Sequence, residues 1–476
     1  MEMFGREYEC GLLRKAYTSD TSEFVIVYGR RRVGKTFLVR QMFDDKFDFY
    51  VTGLPNANKQ QQLVNFHTEI LKRSEDVSAI EARAWEADDK MPKNWFAMFE
   101  KFQSLLEHSQ SKKKVVFLDE TPWMDTKKSE FKIALEHFWN AWASARNDIL
   151  LIVCGSAAAW MVKNIVNNHG GLHNRLTYSI HLDPFTLAET KQYLKSRQVM
   201  WSDNMIAECY MALGGIPFYL KCIDPQYSLA QNLNMIFFAK NALLKNEFRN
   251  LFHSLFKNAE EYIKIIGVLS KKKSGYTRDE IAKKAKMSNG GGLTRMLDTL
   301  ELSNFIRKYK AVGDVAYIYQ LTDFFCLFYF SFIKDMEYDD DEQGWMHIVG
   351  KPVYNTWLGL SFEKLCMAHS KQIKKALGIS GVATKTYSYH SKSSQIDMVI
   401  ERDDNMINLC EIKYSTKPYT LSKAEADKIQ RRLDEAQEKF GKGKSIQVTL
   451  IAAAGLNQNE HSINLVQNVI TLSELY

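Results

Sequence analysis

Nine consecutive residues, Gly29-Arg30-Arg31-Arg32-Val33-Gly34-Lys35-Thr36-Phe37, have the types and spacing that grip a nucleotide phosphate. The apolar run Phe24 to Tyr28 leads in, and Leu38-Val39 follows. A buried strand would deliver a glycine-rich turn, with a helix starting inside it. Backbone N–H groups at a helix N-terminus point at phosphate and carry partial positive charge. Gly29 and Gly34 allow the close approach and positive φ that a side chain blocks. Lys35 can reach the β- and γ-phosphates, and the Thr36 hydroxyl can ligate Mg²⁺.

The partner of such a loop is a strand ending in acids. Val115-Val-Phe-Leu-Asp119-Glu120 supplies it. Asp119 is expected in the Mg²⁺ shell, and Glu120 to polarise the attacking water. The next apolar strand, Leu150 to Cys154, is followed by Ser156. Ser156 is placed either to touch the γ-phosphate or the water, or to cap the following helix. Downstream, Arg175 can supply transition-state charge, in its own or a neighbouring subunit, or form a surface ion pair. No Asn-Lys-x-Asp motif for reading guanine is present, so ATP is the expected nucleotide.

A second set lies near the C-terminal end. Ser393 to Ile400 alternates as a strand with Asp397 at its centre, and Asn408 to Tyr414 is another with Glu411 and Lys413. On a strand, residues i and i+2 share a face, so Glu411 and Lys413 point the same way and a hairpin brings Asp397 alongside. Two carboxylates can hold Mg²⁺ or Mn²⁺ while a lysine activates water. The competing reading is a solvated cross-strand charge pair. His369 and His390 read as surface histidines.

These residues need elements to position them. Val25–Tyr28, Phe47–Val51, Val115–Leu118, Leu150–Cys154 and Ser179–His181 read as strands of a parallel sheet. Tyr276 to Lys286 reads as a Thr-capped helix, followed by a Gly-rich turn and a second helix with Leu293, Met296, Leu297 and Leu300 on one face. Phe305–Lys310 and Ala316–Gln320 then pair around Gly313. Helix, turn, helix, hairpin is the order of a winged helix-turn-helix. Thr294, Arg295 and Asp298 are its groove-facing candidates, with Arg307, Lys308 and Lys310 near the wing.

Charge agrees with an anionic partner. The net charge is +7, and residues 257–312 hold 13 Lys or Arg against 6 Asp or Glu. Residues 335–342 form an acidic stretch that suits a linker. The expected segments are 1–182 for the P-loop sheet, 183–250 for a helical lid, 251–335 for the winged helix and 343–476 for an α/β domain. Seven unpatterned cysteines, no signal-like start and no apolar run of bilayer length predict a cytoplasmic chain with reduced thiols and no membrane partner.

With those residues in view, the chain resembles a known family. Phe4-Gly-Arg6-Glu-Tyr-Glu9 resembles the opening of AAA+ and STAND-type ATPases, and Gly215-Ile-Pro217 resembles the Gly-x-Pro of their helical lid. Together with Leu182-Asp-Pro-Phe185, these are similar to a prokaryotic family that couples an AAA+-like module to a winged helix and a C-terminal PD-(D/E)XK, restriction-endonuclease-like domain. The resemblance implies that Phe4 and Arg6 contribute to the adenine pocket and Pro217 to the lid. It also implies that Glu363 is the acid such nuclease folds carry on their first helix, joining Asp397 and Glu411 at the metal. Ile396 stands where proline is common. The expected function is Mg²⁺-dependent ATP hydrolysis controlling a DNA-binding C-terminal half, cleaving where the acid set is active. The alternative is a STAND-like switch that does not cleave. A homo-oligomer or a protein partner is compatible with either.

Overall fold

The computed structural model describes residues 3–74, 91–167, 171, 174–310, 316–336, 344–390, 395–440 and 442–476. Most of the expected acidic linker, the hairpin tip around Gly313, and the side chain of His390 lie outside the described residues. The chain divides into two compact units, Met1–Asp183 and Pro184–Tyr476.

The first unit is α/β. Strands β1 (Glu23–Tyr28), β2 (Phe49–Thr52), β3 (Lys114–Asp119), β4 (Ile149–Gly155) and β5 (Tyr178–His181) form one parallel sheet in the order β2-β3-β4-β1-β5. Every residue of β3 and β4 is buried. Strands covered on both faces read as continuous apolar runs, which is why the sequence announces them. The second strand begins later than its apolar run. Phe47 is buried against Phe117, with ring centroids 5.4 Å apart, but it precedes the ladder. On one face the helices Lys59–Ser74, Trp95–His108 and Phe131–Ala141 meet the sheet through Phe49, Phe66, Phe102, Trp95, Phe131 and Phe138. Each such ring contributes about 1.5–3 kcal/mol by burial.

In the second unit, Thr186 and Glu189 form a capping box on the helix Leu187–Ser196. The next helix, Asp203–Leu213, stops at Gly214 with φ 72°. Gly215 follows at φ 64°, and a Cβ there would lie 2.3 Å from the Phe185 carbonyl oxygen. Phe185 N in turn donates to Gly215 O at 2.8 Å. Pro217 opens the short helix Pro217–Leu220. The Gly-Gly-Ile-Pro segment is thus a helix stop and restart built on close backbone contact.

The basic middle of this unit has the helix Ala259–Leu269, then β6 (Tyr276–Thr277), the helices Arg278–Ala285 and Gly291–Leu302, and β7 (Ile306–Tyr309) and β8 (Ile318–Leu321). The three strands are ordered β6-β8-β7, all antiparallel. Thr277 and Glu280 cap the second helix reciprocally, and Leu293, Leu297 and Leu300 are buried beneath the third. The last part has the helix Pro352–Ala368 and strands β9 (Thr384–His390), β10 (Gln395–Arg402), β11 (Met406–Lys413), β12 (Tyr419–Thr420), β13 (Ser445–Ala452), β14 (Leu456–Asn457) and β15 (Asn468–Ile470). Its main sheet runs β15-β13-β11-β10-β9. The pairs β9/β10 and β10/β11 are antiparallel, whereas β11/β13 and β13/β15 are parallel, with the helix Lys423–Phe440 crossing between β11 and β13. All seven cysteines are unbridged. No helix among the described residues is long and apolar enough to cross a membrane.

Candidate functional site

The strand order brings the candidate ATPase residues to one edge. Because β4 lies between β1 and β3 and all are parallel, their C-terminal ends carry Gly29, Ser156 and Asp119 to the same side. Gly29 has φ 148°, and a Cβ there would stand 2.4 Å from Leu182 O, so the loop leaves β1 where only glycine fits. Gly34, at φ 92°, starts the helix Lys35–Met42. Lys35 is buried, and its ammonium donates to Gly29 O at 3.2 Å and Arg30 O at 3.0 Å, folding back over the loop. Arg30 and Val33 are buried, Arg31 and Arg32 are half-buried, and Phe37 is exposed.

Thr36 Oγ1 donates to Asp119 Oδ2 at 2.8 Å. Burial pushes the Asp119 carboxyl above the usual carboxylate range, opposed by this hydrogen bond. A hydroxyl and a carboxylate side by side are a donor pair suited to a hydrated Mg²⁺, which takes few protein ligands and keeps several waters. Bound Mg²⁺ would hold Asp119 ionised. Glu120 has φ 45°, and its Oε2 accepts from Ser156 N at 3.2 Å and Ser156 Oγ at 2.8 Å. Ser156 is therefore a partner of Glu120, a role that sequence reasoning did not assign.

Arg6 is buried, donates to Asp183 O and pairs with Glu9 at 3.6 Å. It ties the N-terminal segment to the chain beyond β5, and Phe4 beside it is half-buried. Arg175 is exposed, and Pro217 belongs to the second unit.

Residues 3–223 match the family described as an ATPase domain predominantly from Archaea. From residue 3 on, the first unit lies within that match. Residues 327–429 match a family of archaeal and bacterial proteins of unknown function. An uncharacterized protein of Methanocaldococcus jannaschii is 22% identical over 407 residues, covering 84% of each chain. Among solved structures, a Walker-type ATPase of Pyrococcus abyssi is similar with 17% identity and a TM-score of 0.49, over 69% of this chain and 96% of that one. The ORC2 protein of Aeropyrum pernix is 10% identical with a TM-score of 0.40, over 78% of this chain and 96% of that one.

The C-terminal acids each face a cation. Glu363, on the helix Pro352–Ala368, and Asp397, on β10, both pair with the ammonium of Lys273, which is 3.1 Å from Asp397 Oδ1. Asp397 Oδ2 accepts from Ile412 N at 3.2 Å. Glu411 pairs with Lys413 at 2.9 Å and with Arg432. Among the described residues, no group of three or more His, Cys, Asp or Glu side chains is placed to hold a metal ion. Glu363 and Asp397 thus share the Lys273 ammonium, whereas Glu411 faces Lys413 and Arg432. The pairing of β10 with β11 ends at Met398–Cys410, one step short of Asp397 and Glu411.

Two further expectations change. Arg307 turns inward, donating to Gln320 Oε1 and, at 3.3 Å, to Ser388 Oγ. Burial lowers its pKa to about 10. Lys308 instead lies over Tyr317, 4.5 Å from the ring centre, and Lys310 and Arg295 are exposed. Thr294 accepts from Arg278 at 3.2 Å. His369 is not a surface residue but 2% exposed. Its Nε2 accepts from Leu187 N at 2.9 Å, so Nδ1 carries the proton toward Leu365 O.

Proposed function

We propose that this protein hydrolyses ATP with Mg²⁺ at the edge formed by β1, β4 and β3, and that its nucleotide state controls a DNA-binding second unit. The carrying observation is the Thr36–Asp119 pair beside Glu120 and Ser156. In this reading the loop Gly29–Phe37 wraps the phosphates and Lys35 leaves its carbonyl partners for the β- and γ-oxygens. Thr36 and Asp119 would hold Mg²⁺, Glu120 would polarise water, and Ser156 would orient Glu120. Arg175 would add positive charge at the γ-phosphate, in cis or from a second copy. Phe4 and Arg6 would border the adenine, and Pro217 would belong to the responding lid. The basic stretch 257–312, with exposed Arg295 and Lys310, supports a nucleic-acid face.

Purified protein is expected to hydrolyse ATP only with Mg²⁺, and Lys35→Ala to abolish it; an unchanged rate in that variant overturns the ATPase reading. Stimulation by duplex DNA supports the DNA-linked role.

A second reading is a STAND-like switch whose C-terminal acids do not cut. The cations already facing Glu363, Asp397 and Glu411 favour it. Plasmid incubated with Mn²⁺ separates the two. Nicking lost in Asp397→Ala and Lys413→Ala supports cleavage, and intact plasmid in every nucleotide state supports the switch.

A further inference from the structure

Lys273 comes from the turn between the helix Ala259–Leu269 and β6, 124 residues before Asp397. Its ammonium lies between Glu363 and Asp397, the position a divalent cation would need. Both acids are largely buried, and Asp397 is also fixed from its other oxygen by Ile412 N.

The turn that carries Lys273 is tightly built. Gln320 Nε2 donates to Lys273 O, and Tyr309 OH donates to Ser274 O at 2.9 Å. Gln320 is itself oriented by Arg307, which reaches on to Ser388 of β9. Gly275 sits at φ 82°, where a Cβ would lie 2.3 Å from Tyr319 O, so the chain can make this approach only as glycine. β7 and β8 therefore hold the main chain of the turn, and the acids hold its side chain.

The surroundings reinforce the exclusion of a metal. Lys273, Arg307 and Lys364 line one cavity of about 140 Å³ together with Glu363 and Asp397. An arriving divalent ion would meet the positive side chains of Lys273 and Arg307, which offset the two carboxylates. Like charges repel strongly in such a half-buried setting.

We propose that Lys273 is a latch: seated between Glu363 and Asp397, it takes the cation position and excludes divalent metal from that pair. This rests on the nuclease-like reading of the C-terminal acids. Withdrawal of the turn 271–275 is then the step that opens the pair to metal.

The test is Mn²⁺ binding to the full chain without nucleotide, followed by electron paramagnetic resonance of free Mn²⁺ and by calorimetry. Lys273→Met is expected to gain one Mn²⁺ site at least tenfold tighter than anything wild type shows at these acids. The gain should vanish in Lys273→Met/Asp397→Asn, and Lys273→Arg should behave as wild type. No gain in a cooperatively melting Lys273→Met protein overturns the latch, as does wild-type Mn²⁺ binding that Asp397→Asn removes. If Lys273→Met does not fold, Tyr309→Phe decides. It releases the Ser274 carbonyl, leaves every charge in place, and should tighten Mn²⁺ binding at least threefold; no tightening overturns the latch. Mn²⁺ bound by Lys273→Met without plasmid nicking sinks the nuclease reading and leaves the latch standing.

Discussion

Ser156 donates twice to the same carboxylate oxygen of Glu120, through its backbone N–H at 3.2 Å and its hydroxyl at 2.8 Å. Strand order makes this possible, because β4 ends beside the Asp119–Glu120 end of β3. A left-handed backbone at Glu120, φ 45°, aims the side chain across at β4. The acid proposed to polarise water is thus oriented by the strand between it and the phosphate loop. Charge-assisted hydrogen bonds of this kind are worth roughly 1.5–3 kcal/mol. Ser156→Ala should therefore lower kcat on the order of tenfold with little change in ATP affinity. Glu120→Gln should lower it by about 10²–10⁴. The double variant should be no slower than Glu120→Gln alone, since the serine acts through the glutamate. A further tenfold loss in the double variant would show that Ser156 touches nucleotide or water independently.

Gly215 predicts a stability loss away from the phosphate loop. Its φ of 64° and the 2.3 Å approach of a would-be Cβ to Phe185 O leave no room for alanine. The neighbour is backbone, and it is tied down by the hydrogen bond from Phe185 N to Gly215 O. Gly215→Ala should destabilise the chain by about 1–3 kcal/mol. Gly359, with nothing within 4 Å of its would-be Cβ and in the helix Pro352–Ala368, is the control. Gly359→Ala should be neutral or stabilising by up to about 1 kcal/mol. Urea midpoints of the two variants check both signs.

His369 gives a pH dependence. Burial holds its pKa below the usual imidazole range, and its Nε2 must stay unprotonated to accept from Leu187 N. Below about pH 6.5 the unfolded chain takes up this proton before the folded one does. The contribution is therefore present in full above pH 6.5 and is lost as pH falls toward the folded pKa. His369→Phe should keep the edge-on contact with Tyr210 but orphan the Leu187 amide, costing about 1–3 kcal/mol at neutral pH. The difference between wild type and variant should shrink between pH 6.5 and 5. A difference that stays constant over that range would remove the titration argument.

What the sequence could carry depended on how local the information was. The phosphate loop and the acids after β3 are contiguous, and their strands are buried on both faces, so composition alone exposes them. The pairing of Thr36 with Asp119 follows from the parallel sheet. Phe47 misled by one turn of the pattern, since an apolar residue can join the core before its backbone joins a ladder. Asp397, Glu411 and Lys413 show in the alternation of their strands, but the cations that come from other elements do not. Lys273 and Arg432 reach Asp397 and Glu411 from other elements, and no spacing rule connects them. His369 failed for the same reason: a polar residue at a helix end looks solvated until a distant amide, here Leu187 N, turns out to need it.

Lys364 provides the last prediction. It stands next to Glu363 in sequence, yet its ammonium donates to Leu321 O at 2.8 Å. Burial, and then the positive charges of Arg307 and Lys273, lower its pKa to about 7. The unfolded value is near 10.4, so between pH 7 and 10 the unfolded chain binds the extra proton. Stability attributable to this site should rise with pH across that window, with a slope approaching about 1.4 kcal/mol per pH unit. Lys364→Met keeps the stem's packing and removes the titration. It should be more stable than wild type at pH 7, and the advantage should diminish steadily toward pH 10. Urea unfolding at pH 7, 8, 9 and 10 measures the difference, in which other titrating groups cancel. Parallel curves for the two proteins would mean that Lys364 is as well solvated folded as unfolded, and that the cavity it shares with Lys273 and Arg307 is wetter than its lining suggests.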